Sequence, residues 1–376
     1  MRTIFNFLLG VFIFPFSGYS QVIFEISNYL KVSRQEVVSI LWKDVAETYL
    51  NIDTANFVII NSKTKQQLPF QLEYRGSKEI QNLLIQVRVE ANSKLKLQLL
   101  TGKPEKFNSK TYSRYVPERK DDFAWENDKI AFRMYGKALE GTKENAYGTD
   151  VWVKRTDKLV INERYKRGEY HIDHGDGVDY YHVGFSLGAG NMAPYKNDTI
   201  WYSKNYRTWK VLDNGPLRST FQLTFDEWQV ASQKVKVVKT ISVDAGSQMS
   251  RVEAVFTFDQ TSPLPVVAGI KKRKAPGSSW MDESGGIMGY WEPTDNKYGT
   301  TGIGCLFEQP VQQMLMNKEH LLTVVQAISG QPIIYFHGAA WDKGGAITSS
   351  QKWFDYLKSY KEKIENPLSV VVRKAS

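Results

Sequence analysis

The sequence predicts a mainly β protein, a large antiparallel β-sandwich or supersandwich with few short helices. Apolar and polar residues alternate with period two along most of the chain, and glycine- and proline-bearing turns cut the alternating runs. Aromatic residues reach 13%, which suits sheets packed face to face. At 376 residues the chain exceeds one ordinary core of roughly 100–200 residues, so two domains or one large β architecture is expected.

Taken in order, residues 1–20 stand apart from the fold. Arg2 precedes the apolar run "IFNFLLGVFIFPF" and the small-residue site "SGYS", the pattern of a secretory signal peptide cut before Gln21. That run is too short for a bilayer, and no later segment offers about 18 uninterrupted apolar residues. The expectation is a periplasmic or secreted protein with no membrane span. No lipobox cysteine is present, so a soluble form is expected over a lipid-anchored one.

Residues 21–105 read as an N-terminal β region, with strands in "NFVIINSK", "LLIQVRVEAN" and "KLKLQLL" and a helix expected around Lys43–Tyr49. The polar stretch Thr101–Asp122 reads as a boundary or long crossing loop. Residues 106–376 form the main supersandwich region, expected to carry the active site. Its strands include "KIAFRMYG", "STFQLTF", "KVKVVKTISV" and "RVEAVFTFD", separated by "DNGP", "DAGS", "SPLP" and "APGSS". A second helix is expected in "SSQKWFDYLKSYKEKI".

Alternation also sorts side chains by face. Ile130, Phe132 and Met134 oppose Arg133 and Tyr135; Val151 and Val153 oppose Asp150, Trp152 and Lys154; Leu217, Phe221 and Leu223 oppose Arg218, Thr220 and Gln222. The plain reading is a solvent face. Aromatic rings beside the cations also suit a groove for a charged sugar, with rings stacking on pyranose C–H bonds and cations pairing a carboxylate. Lys239 falls on the apolar parity of Val235, Val237, Ile241 and Val243, and reads either as a snorkelling edge lysine or as a site residue.

The densest chemistry is "EYHIDHGDGVDYYHVGFSLGAG", Glu169–Gly190, which holds three of the five histidines: His171, His174 and His182. Imidazole titrates nearest neutrality, so His171 and His174 suit acid–base or substrate-binding roles. With Asp173 they also fit a divalent cation, although H-x-x-H on an extended segment is a weak signal. Near the C-terminus, "IIYFHGAAWDKGG" places His337 and Trp341 around glycines, consistent with a sugar-subsite loop or with a turn packed into the core.

The formal charge of +9 is spread along the chain. It suits anionic substrates, including acidic polysaccharide fragments, and no nucleic-acid module accompanies it. Cys305 is the only cysteine, so no intramolecular disulfide and no thiolate metal cluster can form. No Walker loop and no G-x-G-x-x-G run occurs. Acidic pairs in "WEND" or "MDESGG" do not single out a glycosidase pair.

The runs "AWENDKIAFRMYGKALEG", "GTDVWVKRTDKLVINERY", "YHIDHGDGVDYYHVGFSLGAGNMAPY", "WKVLDNGPLRSTFQLTF", "KTISVDAGSQMSRVEAVFTF", "MGYWEP" and "GAAWDKGG" resemble an exported bacterial domain-of-unknown-function family from polysaccharide-degradation loci, similar to ulvan oligosaccharide dehydratases. The resemblance covers nearly the whole mature chain. It implies a galactose-mutarotase-like supersandwich and a lyase that removes water from a non-reducing-end uronic acid to leave a 4,5-unsaturated sugar. Such chemistry needs cations on the carboxylate, for which Arg133, Lys154, Arg155 and Arg218 are candidates, or a metal in their place. It also needs an acid and a base, for which His171, His174, Tyr181 and His337 are candidates. Trp152, Tyr135 and Trp341 are the expected ring platforms. No cofactor is required by this reading, with a divalent metal as the alternative. A polysaccharide lyase, a mutarotase or epimerase, and a glycan-binding module are the competing readings.

Overall fold

A computed structural model describes residues 22–375; the signal-peptide expectation falls outside the described residues. As expected, the protein is mainly β, with its sheets antiparallel and packed in layers, and with α-helices α1 (Trp42–Thr48), α2 (Ile161–Arg167) and α3 (Ser350–Glu365) among them.

The first layer pair is a small sandwich. Strand Val22–Asn28 lies between Ser93–Thr101 and Ser369–Lys374, so a four-stranded sheet takes its edge from the far end of the chain. It faces a three-stranded sheet of Arg34–Leu41, Asn82–Val89 and Phe70–Glu73. Alternation buries Val22, Phe24, Ile26, Ile85, Val87, Leu97 and Leu99 between the two sheets.

The main body sets two five-stranded sheets against a nine-stranded one. One runs Gly177–Asp179, Asp150–Lys154, Ala131–Met134, Asp122–Asn127, Thr111–Val116; the other centres on Ala189–Lys196, Leu264–Lys271 and His320–Ala327. The nine-stranded sheet has Gln233–Asp244, Met249–Phe258 and Pro332–Trp341 at its middle. Between the layers lies a continuous core that includes Phe132, Val151, Phe221, Ile241, Phe256 and Ile303. The stretch Thr101–Asp122, expected as a loop, contributes the edge strand Thr111–Val116.

Lys239 corrects the snorkelling expectation, because its strand is internal to the large sheet. Its ammonium is buried, donates to Asn191 Oδ1 (2.5 Å) and Met192 O (2.9 Å), and sits over the Phe225 ring. Burial lowers its pKa to about 7.

The outer face of the large sheet is covered by α3. Ser349 caps this helix through the Lys352 N–H, and Trp353 and Leu357 are its fully buried contacts. Gly302 and Gly304 make room for them, since a Cβ at Gly304 would stand 2.5 Å from Leu357 and one at Gly302 would stand 2.8 Å from Trp353. The helix then leads the chain back to the small sandwich.

The two bodies are joined through polar contacts. Gln71 Oε1 accepts the N–H groups of Leu217 and Arg218 (2.9 and 2.8 Å). Arg218 pairs with Asp244 (2.5 Å) and Glu73 (3.3 Å). Arg218, expected to bind substrate, therefore belongs to this junction.

Candidate functional site

The face of the first five-stranded sheet that alternation assigned to cations and rings is roofed by α2. Beneath it, Arg133 donates to Asp150 (2.6 Å) and Asp179 (2.9 Å) and reaches Asp122 (3.3 Å), with the rings of Tyr135, Trp152 and Tyr170 against its guanidinium. Burial pushes Asp122 up to about 6 and holds Asp179 well above the usual carboxylate range, and the neighbouring Asp150 charge adds to both. Lys154 is closed in with Glu126 (2.9 Å) and Asn127 O (2.6 Å), while Glu126 also accepts the Val160 and Ile161 N–H groups (2.8 Å) at the start of α2. Trp152 stacks on Tyr170 and packs against Tyr165. Arg133, Lys154, Trp152 and Tyr135 thus lie beneath the surface rather than along an open groove, a correction to the expected substrate face. The physical reason is desolvation: cations on a covered sheet face need carboxylate partners, and the strands of the same sheet supply them as Asp122, Glu126, Asp150 and Asp179.

His337 is corrected in the same sense. It is 1% exposed, packed edge-on against Trp125 and Phe132, and touches Gly190, where any Cβ would stand 2.6 Å from its own. Burial and the nearby Lys239 charge drive its pKa down to about 3. It is a neutral core imidazole.

The exposed chemistry lies where Glu169–Gly190 crosses the rim of the large sheet. The His171 side chain is 66% exposed, and its Nδ1 meets Asp179 O at 2.8 Å, with the Asp179 carboxylate at 3.6 Å. Donation from Nδ1–H to that carbonyl fixes the tautomer and leaves Nε2 as a free acceptor, the form a base requires. Tyr298 donates to His171 O (3.0 Å) and stacks on Tyr180 (5.2 Å between centroids). Trp341 donates to Tyr298 O (2.7 Å), and Arg155 lies over the Trp341 ring (4.7 Å) while pairing with Asp173. His174 turns to Glu169 at 3.6 Å. Of the residues chosen from sequence, this rim therefore gathers His171, Arg155 and Trp341, with Asp173 pairing Arg155. Among the described residues no three His, Cys, Asp or Glu side chains converge as a metal-ligand set.

Tyr180 links the rim to a second group. Its hydroxyl meets Thr301 Oγ1 at 2.6 Å, and Thr301 O accepts the Glu292 N–H (3.0 Å). Glu292 accepts from Arg273 Nε (2.5 Å), whose guanidinium covers the Tyr181 ring (4.4 Å) and donates to His182 O (2.7 Å). The Tyr181 hydroxyl is buried without a hydrogen-bond partner among the described residues. Burial raises the Glu292 carboxyl to about 7 against the pull of Arg273, so it exchanges a proton near neutrality. Sequence reasoning did not single out Arg273 or Glu292. The signals were available: the cationic run Lys271–Lys274 at a strand end, and the lone carboxylate of "MGYWEP".

These features define a mainly β supersandwich protein with a polar, aromatic-lined rim where an imidazole, a carboxyl and guanidinium groups lie. The chain belongs to the family described as a domain of unknown function (DUF4861), whose model matches residues 26–370. It is 31% identical over 312 residues to uncharacterized protein P7 of Formosa agariphila, covering 77% of this chain and 78% of that protein. Among solved structures, a protein in the glycosyl hydrolase family 38 from Enterococcus faecalis superimposes with a TM-score of 0.56 at 8% identity, over 95% of this chain and 47% of the other. An α-mannosidase from the same organism gives a TM-score of 0.46 at 8% identity, over 96% and 46%. The chain spans about half the length of these two structures, and the first of them shows a shared fold.

Proposed function

We propose that this protein acts on acidic oligosaccharides as a carbon–oxygen lyase, eliminating water from a non-reducing-end uronic acid to give a 4,5-unsaturated uronate. The observation that carries the reading is the continuous row from His171 through Tyr298, Tyr180 and Thr301 to Glu292 and Arg273. It joins an imidazole with a free Nε2, a carboxyl that titrates near neutrality, and a guanidinium. The carbohydrate-active character of the fold neighbour and the resemblance of the sequence motifs to oligosaccharide dehydratases support the same reading.

In this mechanism Arg273 pairs the substrate carboxylate, withdrawing charge from carbon 5 as its proton becomes acidic. His171 Nε2 takes that proton. The C5–H electron pair forms the C4–C5 double bond, the C4–O bond breaks, and the departing hydroxyl leaves as water with a proton from Glu292. Tyr180 and Tyr298 supply ring surface for the pyranose.

Saturated uronate-terminated oligosaccharides incubated with the protein should gain ultraviolet absorbance while losing the mass of one water. Chain cleavage with absorbance would instead mark a polysaccharide lyase, and binding without mass change a glycan-binding module. A chelator arm reads out the metal alternative. His171→Asn should lower turnover by about a hundredfold or more with an unchanged melting curve, because the ring is exposed; undiminished double-bond formation removes His171 from the reaction.

A further inference from the structure

A cavity of about 830 Å³ opens beside Arg273, lined by the Lys271–Gly277 segment, Tyr290, the Met316–Leu321 turn and Phe185. Its volume is toward the upper end of the ~300–1,000 Å³ usual for small-ligand pockets. Five of its lining residues are cations, Lys271, Lys272, Arg273, Lys274 and Lys318, and its one lining carboxylate is Glu319. Arg273 is paired with Glu292, Lys271 donates to Val183 O, and Lys272 donates to Asn317 O. Lys274 and Lys318 are exposed. Two of the chain's exposed large apolar side chains, Phe185 (56%) and Met316 (55%), line the same cavity.

Its floor is fixed in place. Lys272 N–H donates to Glu319 O (2.7 Å), and Asn317 Oδ1 accepts the Glu319 and His320 N–H groups. Lys272 and the turn bearing Lys318 are therefore held side by side, in a lining of five cations and one carboxylate; burial and then the Arg273 charge lower the Lys271 pKa against Glu319 and Glu292. Such a field is relieved when an anion arrives. An exposed aromatic ring beside it offers a face for a sugar ring rather than for a bare ion.

We infer that this groove is a second subsite, binding a further anionic sugar of the same chain next to the one whose carboxylate Arg273 holds. The inference rests on the acidic-oligosaccharide reading and adds that the preferred ligand carries at least two anionic residues, the second lying against Phe185 between Lys274 and Lys318.

The test is calorimetric binding of an oligouronate tetramer, a uronate monosaccharide and inorganic sulfate to the full chain, to Lys274→Glu/Lys318→Glu and to Phe185→Ala. The wild type should bind the tetramer at least about tenfold more tightly than the monosaccharide. The double reversal should bring the tetramer to the monosaccharide's affinity and leave the monosaccharide unchanged, and Phe185→Ala should weaken the tetramer selectively. Equal wild-type affinities, or tetramer binding indifferent to these variants, overturns the subsite. Loss of sulfate binding alone in the double variant shows an adventitious ion only and overturns it as well. If neither the tetramer nor the monosaccharide binds the wild type, the acidic-oligosaccharide reading itself fails, a result distinct from a tetramer that binds without using the groove.

Discussion

At the residue scale, burial decides what each titratable group does. His171 is exposed, whereas His320, His337 and the Glu292 carboxyl are buried, so the three histidines differ in what surrounds them rather than in type. Raising pH through about 7 ionises the Glu292 carboxyl, so a proton donor at this position loses activity on the alkaline side; Glu292→Gln should flatten that limb of the pH–rate profile while lowering the maximum. His320 accepts the Leu187 N–H at Nε2 (3.2 Å), and burial lowers its pKa to about 4. The unfolded chain binds this proton from about pH 6.5 downward and the folded one only near 4, so stability falls as pH drops across that window. His320→Gln, which keeps an acceptor at the same reach, should lose less melting temperature between pH 7.5 and 4.5 than the wild type. A variant with the same acid sensitivity as the wild type would exclude His320 as a contributor.

Elements were legible where a pattern is long enough to be periodic. The alternation in Gln233–Asp244 matches its burial residue by residue, as it does in Met249–Phe258 beyond Met249, and the helices expected near Lys43–Tyr49 and Ser349–Ile364 became α1 and α3. Helix α2 spans seven residues and is not legible in the sequence, where its polar run "INERYKR" follows a strand without an apolar period, yet it decides the fate of a whole sheet face. Once it covers Trp152, the cations that alternation placed outward must be ion-paired, which no one-dimensional pattern states. The glycines under α3 follow the opposite logic, since they exist for the partner. Gly304→Ala should cost about 1–3 kcal/mol in denaturant unfolding, and Leu357→Ala in the same chain should recover part of that loss, the coupling expected of two groups in direct contact.

For the whole molecule, the candidate site was half legible. His171, Arg155 and Trp341 came from one dense segment and two strand ends, whereas Arg273 and Glu292 meet because strands Leu264–Lys271 and Ile287–Trp291, members of different sheets, end beside each other. Pairing across sheets depends on topology, which alternation does not encode. The small sandwich depends on topology too, for Ser369–Lys374 is the outer neighbour of Val22–Asn28. Removing residues 369–374 bares one side of that first strand; limited proteolysis should then cut within residues 22–105 while the large sheets stay protected. Equal protection of both regions would show that the last strand adds nothing to the small sandwich.

That clasp has a temporal meaning. A ribosome delivers Val22 more than three hundred residues ahead of its partner Lys374, so the earlier strand must wait, with one flank open, until the later one has been made. The small sandwich therefore cannot be completed before Ser369–Lys374 emerges, and a pairing so distant in sequence favours slow assembly. In the interval, that bare flank is open to a chaperone, or to the same strand of another nascent copy.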